Sequence, residues 1–150
     1  MSDLRELYQE MILDHGKSPR NLRAIENATA SAKGNNPLCG DRVTVYLTLR
    51  DNTIEDISFE GAGCAICTAS ASMMTQVLKG KTEAQAESLF GKFHHLVTDG
   101  EVDDDGGLPL GKLEVFQGVR EYPIRVKCAS LPWHTFRAAM RQQAQAISTE

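Results

Sequence analysis

One segment constrains the fold more than any other: NNPLCGDRVTVYLTLRDNTIEDISFEGAGC, residues 35–64. Val43, Val45, Leu47 and Leu49 alternate with Arg42, Thr44, Tyr46 and Thr48. That period of two predicts a half-buried strand. Asp51 and Asn52 turn the chain, and Ile57 and Phe59 mark a second strand with Ser58 and Glu60 facing out. The pair predicts an antiparallel hairpin. Gly61 and Gly63 break the second strand. A helix is expected from about Cys64 to Lys79, stopping at Gly80. Ile66, Ser70, Met73 and Val77 form one of its rows, and Cys67, Ala71, Met74 and Leu78 another. A helix rich in Ala, Ser and Met all round is a buried, closely packed one.

Helices flank this centre. Asp3 to His15 reads as a helix capped by Asp3, with Glu6 as the reciprocal acid and Leu4, Leu7, Tyr8 and Met11 in one stripe. Gly16 and Pro19 end it. Residues 21–34 are small and polar, with a short strand in NATASAK. Thr82 to Gln85 has the form of a capping box. It opens a helix with Ala86, Leu89, Phe90, Phe93 and Val97 on one face. TDGEVDDDGGLPLG reads as a loop, and Leu113 to Val119 as a short helix broken by Tyr122-Pro123. Ile124 to Cys128 leads into a last helix, roughly Leu131 to Ile147. No repeat divides the chain, so a single domain spanning residues 1–150 is expected. It is large enough to bury a core without disulfide staples.

The net charge of −4 argues against a nucleic-acid partner, since phosphate binding needs clustered Lys and Arg. The N-terminus lacks the basic start and apolar run of a signal peptide. No apolar run approaches the length of a membrane span. A cytoplasmic protein with reduced thiols is expected, and a monomer is the default. In such a compartment, four cysteines read first as metal ligands or reactive thiols.

Cys64 and Cys67 form a C-x-x-C pair, which suits a redox couple, half of a metal site, or one working thiol beside a bystander. The other cysteines stand at junctions: Cys39 in a Cys-Gly-Asp corner before the first long strand, Cys128 just ahead of the last helix. Three thiols at separated element ends can converge on one point. Asp41 is the natural fourth group, because Gly40 permits a sharp turn and zinc accepts a carboxylate oxygen beside thiolates. Four negative ligands exceed the charge of a divalent ion. Arg42, Arg125 and Lys127 lie next to the proposed ligands and can supply a cationic surround. Buried cysteine is often mere packing, however, and spacing alone does not decide for Cys64 and Cys128. Asp41 also suits a plain turn or strand edge.

The stretches LYQEMILDHGKSPRN, NNPLCGDRVTVYL, FEGAGCAICTASASMMTQVLKGK, LFGKFHHLVTDG and YPIRVKCASLPW together resemble the IscU/NifU-like iron–sulfur cluster assembly proteins, and within them the SufU branch. The resemblance covers nearly the whole chain. It implies an α+β fold, a small antiparallel β-sheet with helices packed on one side. It implies zinc held by Cys39, Asp41, Cys64 and Cys128. It also implies a sulfur acceptor at Cys39, fed by a partner cysteine desulfurase (SufS-like) that carries a persulfide, with downstream cluster assembly proteins receiving the sulfur. Arg125 is a candidate to stabilise the acceptor thiolate or to contact the desulfurase. Lys127 stands where IscU-type scaffolds carry histidine, YPIRVK where they carry a chaperone-binding segment, and residues 92–111 resemble an insertion of the SufU type. Cys67 stands where that branch usually carries serine and inherits no role.

Other candidates are weaker. His94 and His95 read as surface or interface residues, and Trp133 and His134 as packing or partner contacts. The acidic run at Glu101, Asp103, Asp105 and Gly106 has Lys112 where a calcium loop needs glutamate, so it reads as a solvated loop. Three function classes stand: a zinc-dependent sulfurtransferase acting with a cysteine desulfurase, a scaffold for an iron–sulfur cluster at the same ligands, and a thiol–disulfide oxidoreductase using Cys64 and Cys67. The last is the weakest, because a thioredoxin-like site wants a βαβ setting.

Overall fold

The computed structural model describes the backbone of residues 2–37, 40–98, 110–141 and 147–148, with side chains in 9–37, 40–98 and 110–141. The chain runs α1 (Ser2–Lys17), β1 (Ala30–Asn36), β2 (Asp41–Arg50), β3 (Thr53–Ala62), α2 (Ala65–Leu78), α3 (Glu83–Thr98), a 3₁₀ helix (Gly111–Glu121), α4 (Pro123–Met140) and β4 (Ile147–Ser148). The sheet order is β3-β2-β1-β4. The first three strands are antiparallel neighbours, and β4 adds a short parallel pair, Gly34 with Ile147 and Asn35 with Ser148. The fold is α+β, with helices packed against an antiparallel sheet.

The hairpin forms as its alternation predicts. Val43, Val45 and Leu47 are buried while Arg42 is exposed. Asp51 and Asn52 both adopt positive φ, 52° and 61°, the two-residue primed turn that matches strand twist. A bulge between Thr48 and Leu49 shifts the register. Two expectations fail on β3. Ser58 is fully buried rather than facing out. Tyr46 stands opposite it in register and donates its hydroxyl to Glu60 Oε1 on β3 at 2.6 Å. Residues 21–23 also pair with Phe59 along the outer edge of β3. Nor does Gly61 break the strand, which runs on to Ala62. Gly61 has φ +148°, and an added Cβ would lie 2.1 Å from the Arg42 carbonyl oxygen. Only glycine lets β3 continue so close to β2.

The central helix α2 is buried along most of its length, including Cys67, Ser70, Ser72, Met73, Met74 and Leu78. Thr82 and Gln85 close the capping box reciprocally at 3.0 and 3.2 Å, and the predicted face of α3 is buried. The last helix departs most from expectation. It begins at Pro123, not near Leu131, and ends at Met140, while Ile147 lies in β4. Pro123 occupies the first turn, where a missing N–H costs nothing. Pro132 is accommodated inside the helix. Cys128 therefore sits within α4, not ahead of it. No helix among the described residues is long and apolar enough to cross a membrane.

Candidate metal centre

Three of the residues singled out by sequence meet in space. Asp41, Cys64 and Cys128 each offer one donor atom, and these atoms all lie within 4.8 Å of one another. Asp41 and Cys128 are fully buried, and Cys64 is partly exposed. Cys39 lies outside the described residues, as do Glu101, Asp103, Asp105 and Gly106 of the acidic run.

Each ligand candidate is placed by a local device. Asp41 is the first residue of β2, reached through Gly40 in the left-handed region at φ +71°. One carboxylate oxygen, Oδ1, accepts the Cys64 N–H at 2.9 Å. The other, Oδ2, is buried with no hydrogen-bond partner. Gly63 makes room for the carboxylate: an added Cβ would stand 2.6 Å from Oδ1. Cys64 is the N-cap of α2, and its sulfur accepts the Cys67 N–H at 3.4 Å. The three-residue spacing of the C-x-x-C pair is thus a capping spacing. The Cys67 side chain is 3% exposed and packs in the core. Helix N-termini favour a thiolate in this position.

Cys128 lies one turn beyond Arg125 on α4. The exposed Arg125 guanidinium is held above its ordinary value first by its hydrogen bond to the Cys128 sulfur, then by the charges of Cys64 and Cys128. Of the three predicted cations, Arg125 is the one brought to the sulfurs. Arg42 is exposed on the opposite side of β2 from Asp41, and Lys127 is half-buried. Asn36, the last residue of β1, donates from Nδ2 to the Cys128 sulfur at 3.8 Å and stands in register with Asp41. Sequence reasoning passed over Asn36. Its signal was present in the N-N-P-x-C-G-D corner, but a polar strand end reads as solvated.

The donor set fits a metal ion. A buried carboxylate oxygen without a partner is unfavourable unless a cation meets it. Two sulfurs and a carboxylate at one point match the ligands zinc accepts. The described cysteines 64, 67 and 128 form no disulfide.

The histidines stand elsewhere. His94 and His134 meet edge to face at 5.9 Å, both against Phe90, with the Arg137 guanidinium 5.0 Å from that ring. Burial is the chief reason His134 is held below its ordinary value, with His94 and Arg137 adding to it. His95 is exposed. Trp133 is in the core, stacked on Phe93 at 4.7 Å.

The chain is 40% identical over 142 residues to the zinc-dependent sulfurtransferase SufU of Bacillus subtilis (strain 168), covering 95% of both chains. It is 35% identical over 136 residues to the iron–sulfur cluster assembly scaffold protein IscU of Thermotoga maritima, covering 91% and 94%. Among solved structures it superposes with a TM-score of 0.82 on a protein of Fervidobacterium islandicum AW-1 described as an iron–sulfur cluster assembly scaffold for the SUF system, at 37% identity over 91% of this chain and 98% of that one. Residues 7–129 match the NifU-like N-terminal domain. With that likeness in fold and that span of matched residues, the chain belongs to the NifU-like N-terminal domain family.

Proposed function

We propose that this chain serves iron–sulfur cluster assembly as a zinc-dependent sulfurtransferase, taking persulfide sulfur from a cysteine desulfurase and passing it to downstream assembly proteins. The observation that carries this reading is the buried meeting of Asp41, Cys64 and Cys128 with an unpaired carboxylate oxygen, in a chain similar to a zinc-dependent sulfurtransferase along nearly its whole length. Cys39, Asp41, Cys64 and Cys128 would hold the zinc. Zinc bound there keeps coordinated thiols deprotonated at neutral pH.

The protein's own groups prepare the sulfurs. The Cys67 N–H and the Arg125 guanidinium stabilise negative charge on Cys64, and Asn36 and Arg125 do so on Cys128. Cys39 is the acceptor. Its thiolate attacks the outer sulfur of the partner's cysteine persulfide, the partner's S–S bond breaks, and the partner's thiolate leaves, so a persulfide forms on Cys39 without net oxidation. Arg125, exposed beside the sulfurs, stabilises the thiolate released for attack. Turnover requires the desulfurase, so the activity belongs to the pair.

A second reading uses the same ligands as a scaffold for an iron–sulfur cluster, and relatives named as IscU scaffolds favour it. The thiol–disulfide reading gains no support, since Cys67 is buried in the core and its N–H is capped by the Cys64 sulfur.

The test is alanine release by a cysteine desulfurase in the presence of this protein, with metal content measured in parallel. Strong stimulation that disappears in Cys39→Ala, with about one zinc per chain, supports the sulfurtransferase. Unchanged stimulation by Cys39→Ala sinks the acceptor assignment. Iron with a visible absorption band, and no stimulation, turns the reading to the scaffold.

A further inference from the structure

We propose that Asn36 is a positioning residue of the metal centre: its side-chain amide donates to the Cys128 sulfur and sets how strongly that sulfur donates to a bound metal. The proposal rests on the metal-centre reading above.

Asn36 is fully buried at the end of β1, facing the first residue of β2 in the strand register. Its Nδ2 lies 3.8 Å from the Cys128 sulfur. Its Oδ1 is buried without a hydrogen-bond partner. An amide half satisfied in a sealed site is unfavourable relative to an apolar residue of the same shape. Packing alone therefore does not account for an asparagine here. The donor it presents does. A thiol sulfur is a weak acceptor, whereas a thiolate draws a charge-assisted hydrogen bond. Asn36 gains most when Cys128 is an anion, the state a metal ligand requires.

The two sulfurs also differ in what else they meet. Cys64 is partly open and caps a helix, so backbone N–H and solvent both serve it. Cys128 is fully buried within α4 and is not itself a cap. Among the side chains that meet its sulfur are Asn36 and Arg125. Arg125 is exposed and able to swing away, while Asn36 is not. Asn36 is thus the fixed donor. An N–H···S hydrogen bond lowers the energy of the sulfur lone pairs, so it stabilises the thiolate and tunes the metal–sulfur bond.

The experiment uses the full chain with Asn36→Leu, which keeps the shape and removes the donor, and Asn36→Ala as a second donor-free variant. Zinc affinity is read by chelator competition, and the cobalt-substituted protein by its sulfur-to-metal charge-transfer absorption. Expected are a roughly 10- to 100-fold loss of zinc affinity, a charge-transfer band moved to longer wavelength in both variants, and metal-free Asn36→Leu unfolding no earlier than wild type. Wild-type affinity and an unmoved band in both variants, with wild-type protein that binds metal, overturn the proposal alone. A metal-free Asn36→Leu that unfolds much earlier, with an unmoved band in Asn36→Ala, also overturns it and leaves a packing role. Wild-type protein that takes up neither zinc nor cobalt overturns the metal-centre reading and this proposal with it.

Discussion

Helix α2 carries two knots of buried polar groups, and they differ in one respect. In the middle of the helix, Ser72 Oγ meets His15 Nδ1 at 2.7 Å and accepts the Arg20 N–H at 2.8 Å. Thr75 donates to the Ser72 carbonyl at 2.6 Å and accepts from Asn21 Nδ2 at 3.0 Å. That knot closes on itself and ties α1 and the following loop to α2. At the N-terminus of the same helix, the Asp41, Cys64 and Cys128 corner leaves Asp41 Oδ2 and Asn36 Oδ1 open. Burial is similar in both. A closed set of partners is what structure needs, and an open buried acceptor is what a cation needs.

The contrast is broken most sharply at Cys64. Cys64→Ser should reduce the zinc in purified protein from about one per chain to a small remainder, while Ser72→Ala leaves it unchanged, both read by elemental analysis. Full zinc in Cys64→Ser removes it from the ligand set. Next in size is Gly63→Ala. The new Cβ would displace the Asp41 carboxylate, and zinc should bind about 10- to 100-fold more weakly in a chelator titration. An unchanged affinity means Asp41 does not ligate.

The closed knot answers to a different measurement. Ser72→Ala leaves His15 Nδ1 and the Arg20 N–H without their partner and should cost about 1–3 kcal/mol in denaturant unfolding. A loss below a few tenths would show that the knot contributes little. The knot also has a pH signature. Burial first, then Arg20, hold His15 below its ordinary value; Asp14 opposes them less strongly, and Lys112 adds the smallest push in the lowering direction. The unfolded chain takes up that proton near pH 6.5 and the native chain only at lower pH. Stability is therefore intact above that range and falls as pH drops through it. His134, also depressed, acts in the same direction. Measured on metal-free protein, His15→Gln should flatten part of this slope; a slope left unaltered assigns it to other groups. The smallest effect is expected for Cys67→Ser, which keeps the backbone N–H to Cys64 and so the zinc.

Much of this was legible in the residues. Alternation exposed the hairpin because one face of β2 is buried and the other is not. The capping box of α3 is a local device and reads locally. Asp41 drew attention in its Cys-Gly-Asp corner, but for Cys64 and Cys128 spacing did not decide, and it was the family resemblance that joined them to it. What escaped depends on the third dimension. Proline ends one helix and starts another with the same chemistry, so Pro123 hid the true beginning of α4. Ser58 is buried in a strand whose outer edge is covered by residues 21–23, which its own sequence does not announce. His15 and Asn36 look like surface residues until α2 and α4 close over them. Cys39 was central to the sequence reading and lies outside the described residues.

The single tryptophan has a practical consequence. Trp133 is 1% exposed, pressed against Phe93, and follows Cys128 by little more than a turn on α4. Its emission is a built-in gauge of whether α4 is seated on α3. Sealed from water, the indole emits at short wavelength and is shielded from dissolved quenchers until that helix lifts. Chemistry confined to the Cys64 thiol should leave the signal quiet, and any event that pulls Cys128 out of place should be heard in it.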